Sequence, residues 1–432
     1  MNKTITLLLS FFLVSISSFA QWVSMGSGLS GSVKAITVYN GKVYAGGTFS
    51  GNINHIAVYN ESNSTWSTAG NGLNNDVNAL VVHAGKLYAG GTFTANGANT
   101  TCSYIAVLNT STNLWEPVNS GFNNFVRALY SNGTDMYVGG AFNNSGTPAV
   151  SRIAKYSTTG WVNVGDPGGL VTAITTYNGS IYIAGAFLGT FVGRLSGTSW
   201  TKFGSGLSGQ EASALAVFQN TLYVGGSFNG SYGYGLVKFN GSSFSTAFNP
   251  INNYVSALLA TPSRLFCGGS FTATTNGTSL PHFFRYDGGT PFTALGQGFN
   301  GNVLAFANNN GVIIAGGSYT TAGGVAASNI AKSSTTIDVN EINNAIVESV
   351  FYPNPMINEA LLSIKTSTYL SNATLHIVDQ NGRTIRDIPA TESANNLQLE
   401  FILNREGMPA GMYYYFMTSE AKGVTSGKFI VQ

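Results

Sequence analysis

A sevenfold internal repeat constrains the fold of this chain more than any other feature of its sequence. An apolar run, a glycine pair and an aromatic residue recur as VYAGGTF, LYAGGTF, MYVGGAF, IYIAGAF, LYVGGSF, LFCGGSF and IIAGGSY. The second glycine of the pair stands at positions 47, 91, 140, 185, 226, 269 and 317, so the spacing is 41 to 49 residues. A period of this length is typical of arrays built from one repeated supersecondary unit. We number the copies one to seven in chain order.

Each copy carries the signals of four antiparallel strands. A partly alternating run such as VKAITVY precedes the glycine pair, and in four copies an Asn-Gly turn suited to a two-residue hairpin joins the two, at Asn40, Asn132, Asn178 and Asn310. After the pair come a polar loop, a third strand such as HIAVYN, and a fourth strand opened by Trp66, Trp115, Trp161, Trp200, Phe244 or Phe292. This pattern predicts an all-β fold, a seven-bladed β-propeller over residues 21–335.

The two ends of the array are complementary. Copy seven has its third strand, NIAKSS, but no aromatic fourth strand after it, whereas WVSMGSGL at 22–29 matches the fourth strand WTKFGSGL at 200–207. We therefore expect Trp22 to complete the sheet that begins near Val303, which would close the ring and remove open sheet edges. An open solenoid would not need the missing strand at the opposite end.

The copies resemble kelch repeats, in which a Gly-Gly pair is followed by a Tyr and then by a Trp. Copy one has Gly46-Gly47, Tyr59 and Trp66 in these places, and the resemblance extends over about residues 22–335. Copy four departs from the pattern, because Ala184 replaces the first glycine. The resemblance implies a propeller, but kelch-like propellers include protein-binding modules, glycan binders and enzymes, so it fixes no activity.

The N-terminal segment has the features of an export signal. Lys3 precedes the apolar run TITLLLSFFLVSIS, and the tripeptide SFA then places small residues at both ends of a cleavage site. We predict a signal peptide over residues 1–20. The alternative, a retained anchor, is weaker, because the run is shorter than the roughly 20 residues that a spanning helix needs.

After Lys332 the period stops, and we predict a linker over 336–349 and a second small β domain over 350–432. This segment resembles the C-terminal sorting domain of the type IX secretion system of Bacteroidetes-type bacteria, in its type A form. The matching residues are Tyr352, Pro353, Asn354, Pro355, Asp379, Gly382, Arg383, Gly411, Tyr413 and Lys428. The resemblance implies an immunoglobulin-like β-sandwich recognised by the secretion machinery, cleavage during export, and attachment to surface lipopolysaccharide. An ordinary immunoglobulin-like accessory domain is the alternative.

The sequence offers little for catalysis. The histidines, His55, His83, His282 and His376, have no metal-ligand spacing, so we expect no metal, no cofactor and no catalytic triad. Glycosidases need two carboxylates about 5–10 Å apart. Asp76, Asp166 and Glu211, near the loops that precede first strands, are the carboxylates best placed to converge. The sequence does not tell whether Cys102 and Cys267 are free.

Two sets of residues are candidates for binding. The loops rich in Asn, Thr, Ser and Gly hold aromatic and amide side chains suited to sugar or protein contacts. These are Asn123, Asn124, Phe125, Tyr232, Tyr234 and Tyr254. Plain solvated loops would have the same composition. One position of the third strand is basic in five copies, as Lys155, Arg194, Lys238, Arg285 and Lys332. This pattern predicts either a cationic band or aliphatic stems that cover apolar surface.

These features predict a secreted or surface-attached binding or adhesion module, monomeric, with a glycan or a protein as its ligand and the type IX machinery as its export partner. A carbohydrate-active enzyme with its site at the channel mouth is the first alternative, and a structural surface protein is the second. Nucleic acid is not expected as a partner, because the net charge of the chain is only +2.

Overall fold

The structure is a computed structural model that describes residues 22–143, 149–187, 189–247, 251–288, 297–334, 346–366, 373–379, 384–392, 398–419 and 422–432. The predicted signal peptide, Phe292, most of the predicted linker, and the sorting-motif residues Gly382 and Arg383 lie outside the described residues. Within those ranges every regular element is a β-strand, and no helix there is long and apolar enough to cross a membrane. The all-β class is therefore confirmed. The chain divides into two compact units, Met1–Asp338 and Val339–Gln432.

The first unit consists, in its described part, of seven small antiparallel sheets of one topology, one for each sequence copy. Strand β1 (Trp22–Ser24) precedes sheet one, which holds β2 (Val33–Tyr39), β3 (Lys42–Gly47), β4 (Ile56–Asn60) and β5 (Thr65–Thr68). Sheet two holds β6 (Val77–His83), β7 (Lys86–Gly91), β8 (Ile105–Asn109) and β9 (Leu114–Pro117). Sheet three holds β10 (Val126–Ser131), β11 (Met136–Gly140), β12 (Ile153–Ser157) and β13 (Gly160–Asn163).

The remaining sheets follow the same order. Sheet four holds β14 (Leu170–Tyr177), β15 (Ser180–Ala186), β16 (Val192–Ser196) and β17 (Ser199–Phe203), and sheet five holds β18 (Leu207–Phe218), β19 (Thr221–Gly230), β20 (Leu236–Phe239) and β21 (Phe244–Thr246). The described part of sheet six holds β22 (Val255–Ala260), β23 (Leu265–Gly269) and β24 (Phe283–Tyr286). Sheet seven holds β25 (Asn302–Asn309), β26 (Val312–Ser318) and β29 (Ile330–Ser333), with a small hairpin of β27 (Thr321–Ala322) and β28 (Val325–Ala326) before β29.

Strand β1 is the fourth strand of sheet seven. It pairs with β29, with Trp22 opposite Ser333, as the complementary ends of the array predict. The Trp22 side chain is 1% exposed and packs edge-on against Phe283 and Phe299, with ring centroids 5.2 and 4.8 Å away. The N-terminal strand thus fills the hydrophobic core between sheets six and seven.

The Asn-Gly turns form two-residue hairpins at Asn40, Asn178 and Asn310, where both turn residues have positive φ. The fourth such turn differs from the prediction. In sheet three Ser131 pairs with Met136, so four residues form the loop, and the Asn132 side chain accepts the backbone N–H of Asp135 at 2.7 Å. The loop has two residues more than a two-residue turn, and Asn132 does not adopt the left-handed conformation there. Its side chain instead stabilises the loop through this hydrogen bond.

The first glycine of each pair lies where neighbouring sheets pack. A Cβ added to Gly90 would lie 2.4 Å from Cγ1 of Val126, the residue that opens the next sheet. Equivalent distances are 2.4 to 2.6 Å in six of the seven copies, for the pairs Gly46–Val77, Gly90–Val126, Gly139–Val171, Gly225–Val255, Gly268–Val303 and Gly316–Val33. The last of these pairs joins sheet seven to sheet one. The glycine pair therefore has a packing role, which matches its position inside strands.

First strands contact one another in chain order, β2 with β6, then β10, β14, β18, β22 and β25, and β25 also contacts β2. Fourth-strand tryptophans link neighbouring sheets as well. Trp66, Trp115 and Trp200 donate their indole N–H to the carbonyls of Met25, Ala69 and Val164, at 2.8 to 3.0 Å. Phenylalanine at this position in sheet five, Phe244, cannot donate such a bond.

The second unit contains two four-stranded antiparallel sheets. One has the order β30 (Ile346–Tyr352), β31 (Glu359–Thr366), β35 (Gln398–Asn404) and β34 (Thr391–Glu392). The other has the order β33 (Thr384–Pro389), β32 (Thr374–Val378), β36 (Gly411–Ser419) and β37 (Lys422–Val431). Inward-facing residues of both sheets, among them Leu362, Phe401, Leu375 and Phe429, form one buried core. Alternating burial along β32 and β35 is the pattern of strands with one buried face.

Candidate functional site

A β-bulge occurs near the start of every first strand in the seven sheets. In sheet one Val33 pairs with Gly47 and Ala35 with Gly46, so the intervening Lys34 has no partner in the ladder. The same register shift leaves one unpaired residue in each of the other sheets, although in sheet five it lies in the middle of the longer β18 and follows a second shift between Gly209 and Ala212. These bulged residues are Lys34, Asn78, Arg127, Thr172, Ser213, Ser256 and Leu304. A bulge turns the extra side chain away from the regular pleat.

The second glycine of each pair makes this bulge possible. The carbonyl oxygen of Asp76, just before the bulge of sheet two, would lie 2.0 Å from a Cβ added to Gly91. In all seven sheets the corresponding distance is 1.9 to 2.4 Å. The same carbonyl accepts the N–H of Thr92 at 2.9 Å. Only glycine leaves room for this close approach, so the second glycine supports the bulge and does not itself form a binding loop.

All seven bulged residues line one cavity of about 330 Å³, together with Gln210, Glu211, Ser227, Tyr254 and Val255. The cavity lies where the first strands begin, on the side of the loops that precede them. Most of its lining side chains are polar, and two cations and one carboxylate stand among the described lining residues. A concave site with a few converging polar groups is the usual form of a small-ligand site.

The wall formed by sheets one and two is electrostatically satisfied. Lys34 Nζ lies 2.9 Å from Asp76 Oδ2 and 3.5 Å from Asn78 Oδ1. Asp76 Oδ1 lies 3.5 Å from His55 Nδ1. Asn78 donates its Nδ2–H to the carbonyl of Val126 at 3.0 Å, across to sheet three. Lys34 and Asp76 therefore neutralise each other, and this wall offers little net charge to a ligand.

The other walls carry side chains with unused hydrogen-bonding capacity. Arg127 is exposed, and no described residue forms an ion pair or side-chain hydrogen bond with it. Glu211 accepts a hydrogen bond from Ser213 Oγ at 3.3 Å. Ser227 Oγ is buried without a partner among the described residues, and Tyr254 is 48% exposed. A ligand in the cavity would thus find a guanidinium, a carboxylate, hydroxyls and an aromatic ring.

One repeat position unites four of the residues that the sequence singled out. Asp76, Phe125 and Tyr254 each stand immediately before the first residue of a first strand, and Glu211 holds the equivalent place before Ala212, inside β18. Of these, Glu211 and Tyr254 line the cavity. The three candidate carboxylates have different surroundings: Asp76 is paired with Lys34, Asp166 lies 2.6 Å from Arg152 Nη1, and Glu211 has no cationic partner in the described part of the chain.

The predicted loop residues are not one cluster. Asn123 and Asn143 bond to each other, through Asn123 Nδ2–H to Asn143 Oδ1 at 2.7 Å and Asn143 N–H to Asn123 Oδ1 at 3.2 Å. Asn74, Asn252 and Asn300 make the equivalent clamp in sheets two, six and seven, so Asn123 has a structural role. Asn124 Oδ1 accepts the N–H of Phe125 at 2.8 Å.

The remaining aromatic candidates lie apart from the central cavity. Tyr232 lines a separate cavity of about 450 Å³ between sheets four and five, beside Lys202, Phe203 and Phe244. Tyr234 is 46% exposed and lines neither the central cavity nor the cavity beside Tyr232. Tyr254 is therefore the aromatic candidate that the structure brings to the central cavity.

The five basic residues of the third strands are half-buried and engaged with neighbours. Lys155 lies 3.3 Å from Asp135, Arg285 lies 2.8 Å from Asp287, and Lys332 pairs with Glu61. The guanidinium of Arg194 lies 6.0 Å from the Phe203 ring centroid, and Lys238 Nζ lies 5.9 Å from that of Tyr223. Stems that cover apolar surface while the charged end finds a partner are common for such residues.

The histidines and cysteines have structural surroundings. His55 and His282 occupy the same repeat position before third strands, with positive φ, and their Nδ1 atoms lie 3.4 and 3.0 Å from the carbonyls of Gly47 and Gly269. Cys102 and Cys267 are free and buried, and burial raises the pKa of both thiols. The described residues include no group of three or more His, Cys, Asp or Glu side chains that could hold a metal ion.

In the second unit, the first sorting-motif segment contacts the C-terminal strand. Asn354 Oδ1 accepts the N–H of Ile430 at 3.0 Å, and the N–H of Met356 bonds to the carbonyl of Ile430 at 2.7 Å. Tyr413 is buried, stacks on Phe429 and donates its hydroxyl to the carbonyl of Pro409 at 3.0 Å. Exposed positions of the motif include Tyr352, at 74%, and Lys428. These contacts hold the Pro-Asn-Pro segment against the terminal strand.

The fold and the site define a chain of seven similar antiparallel sheets, with a polar cavity among their first strands, and a separate C-terminal β domain. Residues 350–432 match the family described as "Secretion system C-terminal sorting domain". The predicted sorting domain is thus confirmed. It indicates export through the type IX secretion system to the cell surface or the extracellular space, and interaction with that machinery.

No curated protein matches the chain. Among solved structures, the extracellular domain of a protein described as a hybrid two-component system of B. thetaiotaomicron has a TM-score of 0.49 and 13% identity, over 96% of this chain and 57% of that one. The computationally designed Ika8 protein has a TM-score of 0.31 and 14% identity, over 89% of this chain and 100% of that one. CopC from Methylosinus trichosporium OB3b has a TM-score of 0.15 and 15% identity, over 20% of this chain and 94% of that one. The chain spans 57% of the length of the first of these structures. At these values the similarities carry no information on activity.

Proposed function

We propose that this protein is an exported, kelch-like seven-bladed β-propeller that binds an extracellular ligand in its central cavity and is delivered by its C-terminal sorting domain. The propeller is supported by the equal topology of the seven sheets, by the contact between β25 and β2, and by the packing of Gly316 on Val33. The pairing of β1 with β29 supports closure of the ring by the N-terminal strand.

One observation carries the binding function. Seven side chains that the sheet ladders do not use, one from each sheet, converge on the same cavity. Arg127 and Tyr254 present a cation and an exposed ring there, and neither has a role in the packing between sheets that the glycine–valine pairs perform. Polar and aromatic groups that are free of structural contacts, in a concave site, favour recognition over scaffolding.

The second unit supports delivery to the cell surface. We propose that its two sheets form an immunoglobulin-like sandwich, which the type IX machinery recognises and removes, and that the propeller is then released or attached to surface lipopolysaccharide. To test delivery, full-length protein and a variant lacking residues 350–432 are expressed in a host with this secretion system. We expect the propeller expressed with its sorting domain to be found outside the cell and the truncated chain in the periplasm. Equal export of both would refute delivery by this domain.

Binding is tested with the mature chain on a glycan array, on extracellular matrix proteins and with a panel of glycoside hydrolase substrates. Binding without turnover supports the binding module. Turnover supports the carbohydrate-active enzyme, for which Glu211 is the carboxylate at the cavity. Neither binding nor turnover supports the structural surface protein. Loss of binding in Tyr254→Ala would locate the ligand at the cavity, whereas Tyr234→Ala, a change at an exposed tyrosine elsewhere, serves as the matched control.

A further inference from the structure

The two cations of the central cavity are not equivalent. Lys34 is paired with Asp76 at 2.9 Å, and its Nζ also lies 3.5 Å from Asn78 Oδ1. Arg127 occupies the equivalent bulge in sheet three, is exposed, and has no anionic partner among the described residues. An unpaired guanidinium attracts an anion, and its planar set of donors fits a carboxylate with two parallel hydrogen bonds.

The wall contributed by sheets five and six offers a different chemistry. Glu211 is an acceptor of hydroxyl hydrogens, and Ser227 Oγ lies buried with no described partner. Tyr254, 48% exposed, adds an aromatic face. A ligand that satisfies this wall needs several hydroxyl groups and an apolar face that can lie against a ring.

We propose, on the basis of the binding function above, that the cavity accommodates a hexuronate unit of an acidic glycan. Its carboxylate pairs with Arg127, its hydroxyls bond to Glu211, and its C–H face lies on Tyr254. The volume of about 330 Å³ is at the lower end of the usual range of ligand pockets, so the cavity holds a chain end or a short unit and not a long stretch of polymer.

The experiment measures binding of uronate disaccharides to the mature full-length chain by calorimetry. The probes are galacturonate, glucuronate and mannuronate disaccharides, and the matched neutral probes are the same disaccharides with their carboxyl groups reduced. The variants are Arg127→Gln and Tyr254→Ala. Arg194→Gln is the control, because it removes the same charge from a third strand, where Arg194 lies over Phe203. Thermal melting of each variant verifies that it is folded.

At least one uronate disaccharide is expected to bind more tightly than its reduced counterpart. Arg127→Gln is expected to weaken that binding by about 10- to 100-fold, the usual effect of losing a charge-assisted hydrogen-bonded pair. It should leave the affinity for the reduced probe unchanged. Arg194→Gln should bind like the original chain, and lower ionic strength should not restore binding to Arg127→Gln.

Three results would overturn the inference. Equal affinity for acidic and reduced probes would do so while leaving a neutral-glycan binding function intact. An equal loss in Arg194→Gln and Arg127→Gln would assign the effect to the third-strand basic residues instead of the cavity. Absence of binding by every disaccharide would overturn it as well, and the glycan array and the matrix proteins then decide whether the proposed binding function also fails.

Discussion

Ala184 and Ala212 are buried together where sheets four and five pack, at the two positions that hold a glycine and a valine in each of the six other sheet pairs. The added methyl group of Ala184 is matched by the smaller side chain of Ala212. The departure of copy four from the glycine pair is therefore compensated in copy five. The two residues are 28 positions apart in the sequence and belong to different copies.

A double-mutant cycle tests this compensation. Ala212→Val places a branched side chain against Ala184 and is expected to lower the free energy of unfolding by about 1–3 kcal/mol, because overpacking forces neighbours to move. Adding Ala184→Gly should recover at least about 1 kcal/mol of that loss, since the pair then equals Gly225–Val255. Urea unfolding at an unchanged m-value is the measurement. Additive effects of the two substitutions would contradict the compensation.

Removal of the Trp22 side chain should destabilise the first unit strongly. Trp22→Ala leaves a cavity against Phe283 and Phe299 and is expected to cost about 3–5 kcal/mol. Val23→Ala, in the same strand but 36% exposed, should change stability by no more than about 0.5 kcal/mol. Thermal and urea unfolding of both variants provide the comparison. A loss for Trp22→Ala as small as that for Val23→Ala would show that the Trp22 ring does not contribute to the core.

The protein should lose stability in alkali through its buried tyrosines. Burial raises the pKa of Tyr44, Tyr88, Tyr137 and Tyr223 above the usual value of about 10. A raised folded-state pKa contributes stability that is present below pH 10 and is lost as the pH rises from there through the folded-state value. Tyrosinate absorbance and near-ultraviolet circular dichroism, followed together from pH 9 to 13, should therefore show a late ionisation phase that coincides with unfolding. Full ionisation of all tyrosines before any loss of tertiary signal would contradict this expectation.

Both thiols should be unreactive in the folded protein. Cys102 and Cys267 are buried in separate core clusters and are not bonded to each other. Burial raises the pKa of each thiol, which lowers the fraction of reactive thiolate. A thiol reagent is expected to modify both cysteines in denaturant and to modify them at least about tenfold more slowly in buffer. Stability should be the same with and without reductant, and a reductant-sensitive melting temperature would indicate a disulfide.

The sequence predicts the strands well because their signals are local. Alternating apolar residues and the Asn-Gly turns at Asn40, Asn178 and Asn310 specify hairpins without reference to the rest of the chain. The place of β1 follows from the strand missing in copy seven. The turn at Asn132 was predicted with the wrong length, because its inserted residues and side-chain hydrogen bond act within a single loop.

The bulged residues that line the cavity were not predicted, although a sequence signal for them exists. Every first strand contains Val-x-Ala, or Ala-Ser-Ala in copy five, and x is the residue that reaches the cavity. The role of residue x depends on the bulge, and the bulge can be recognised only once the register of strand pairing is known. The role of Asn123 was missed for a similar reason, since its partner Asn143 is 20 residues away in another loop. Tyr254 was selected on residue type alone, and the same criterion also selected Tyr234, which lies elsewhere.

The bulges have a consequence for how such a protein can change over evolutionary time. Within this one chain the bulged position accepts Lys, Asn, Arg, Thr, Ser and Leu, whereas its neighbours on either side are Val or Ala. The ladder and the sheet packing thus impose no common side chain there. Substitutions at these seven positions could therefore change the chemistry of the cavity while the strand ladders and the glycine–valine packing persist.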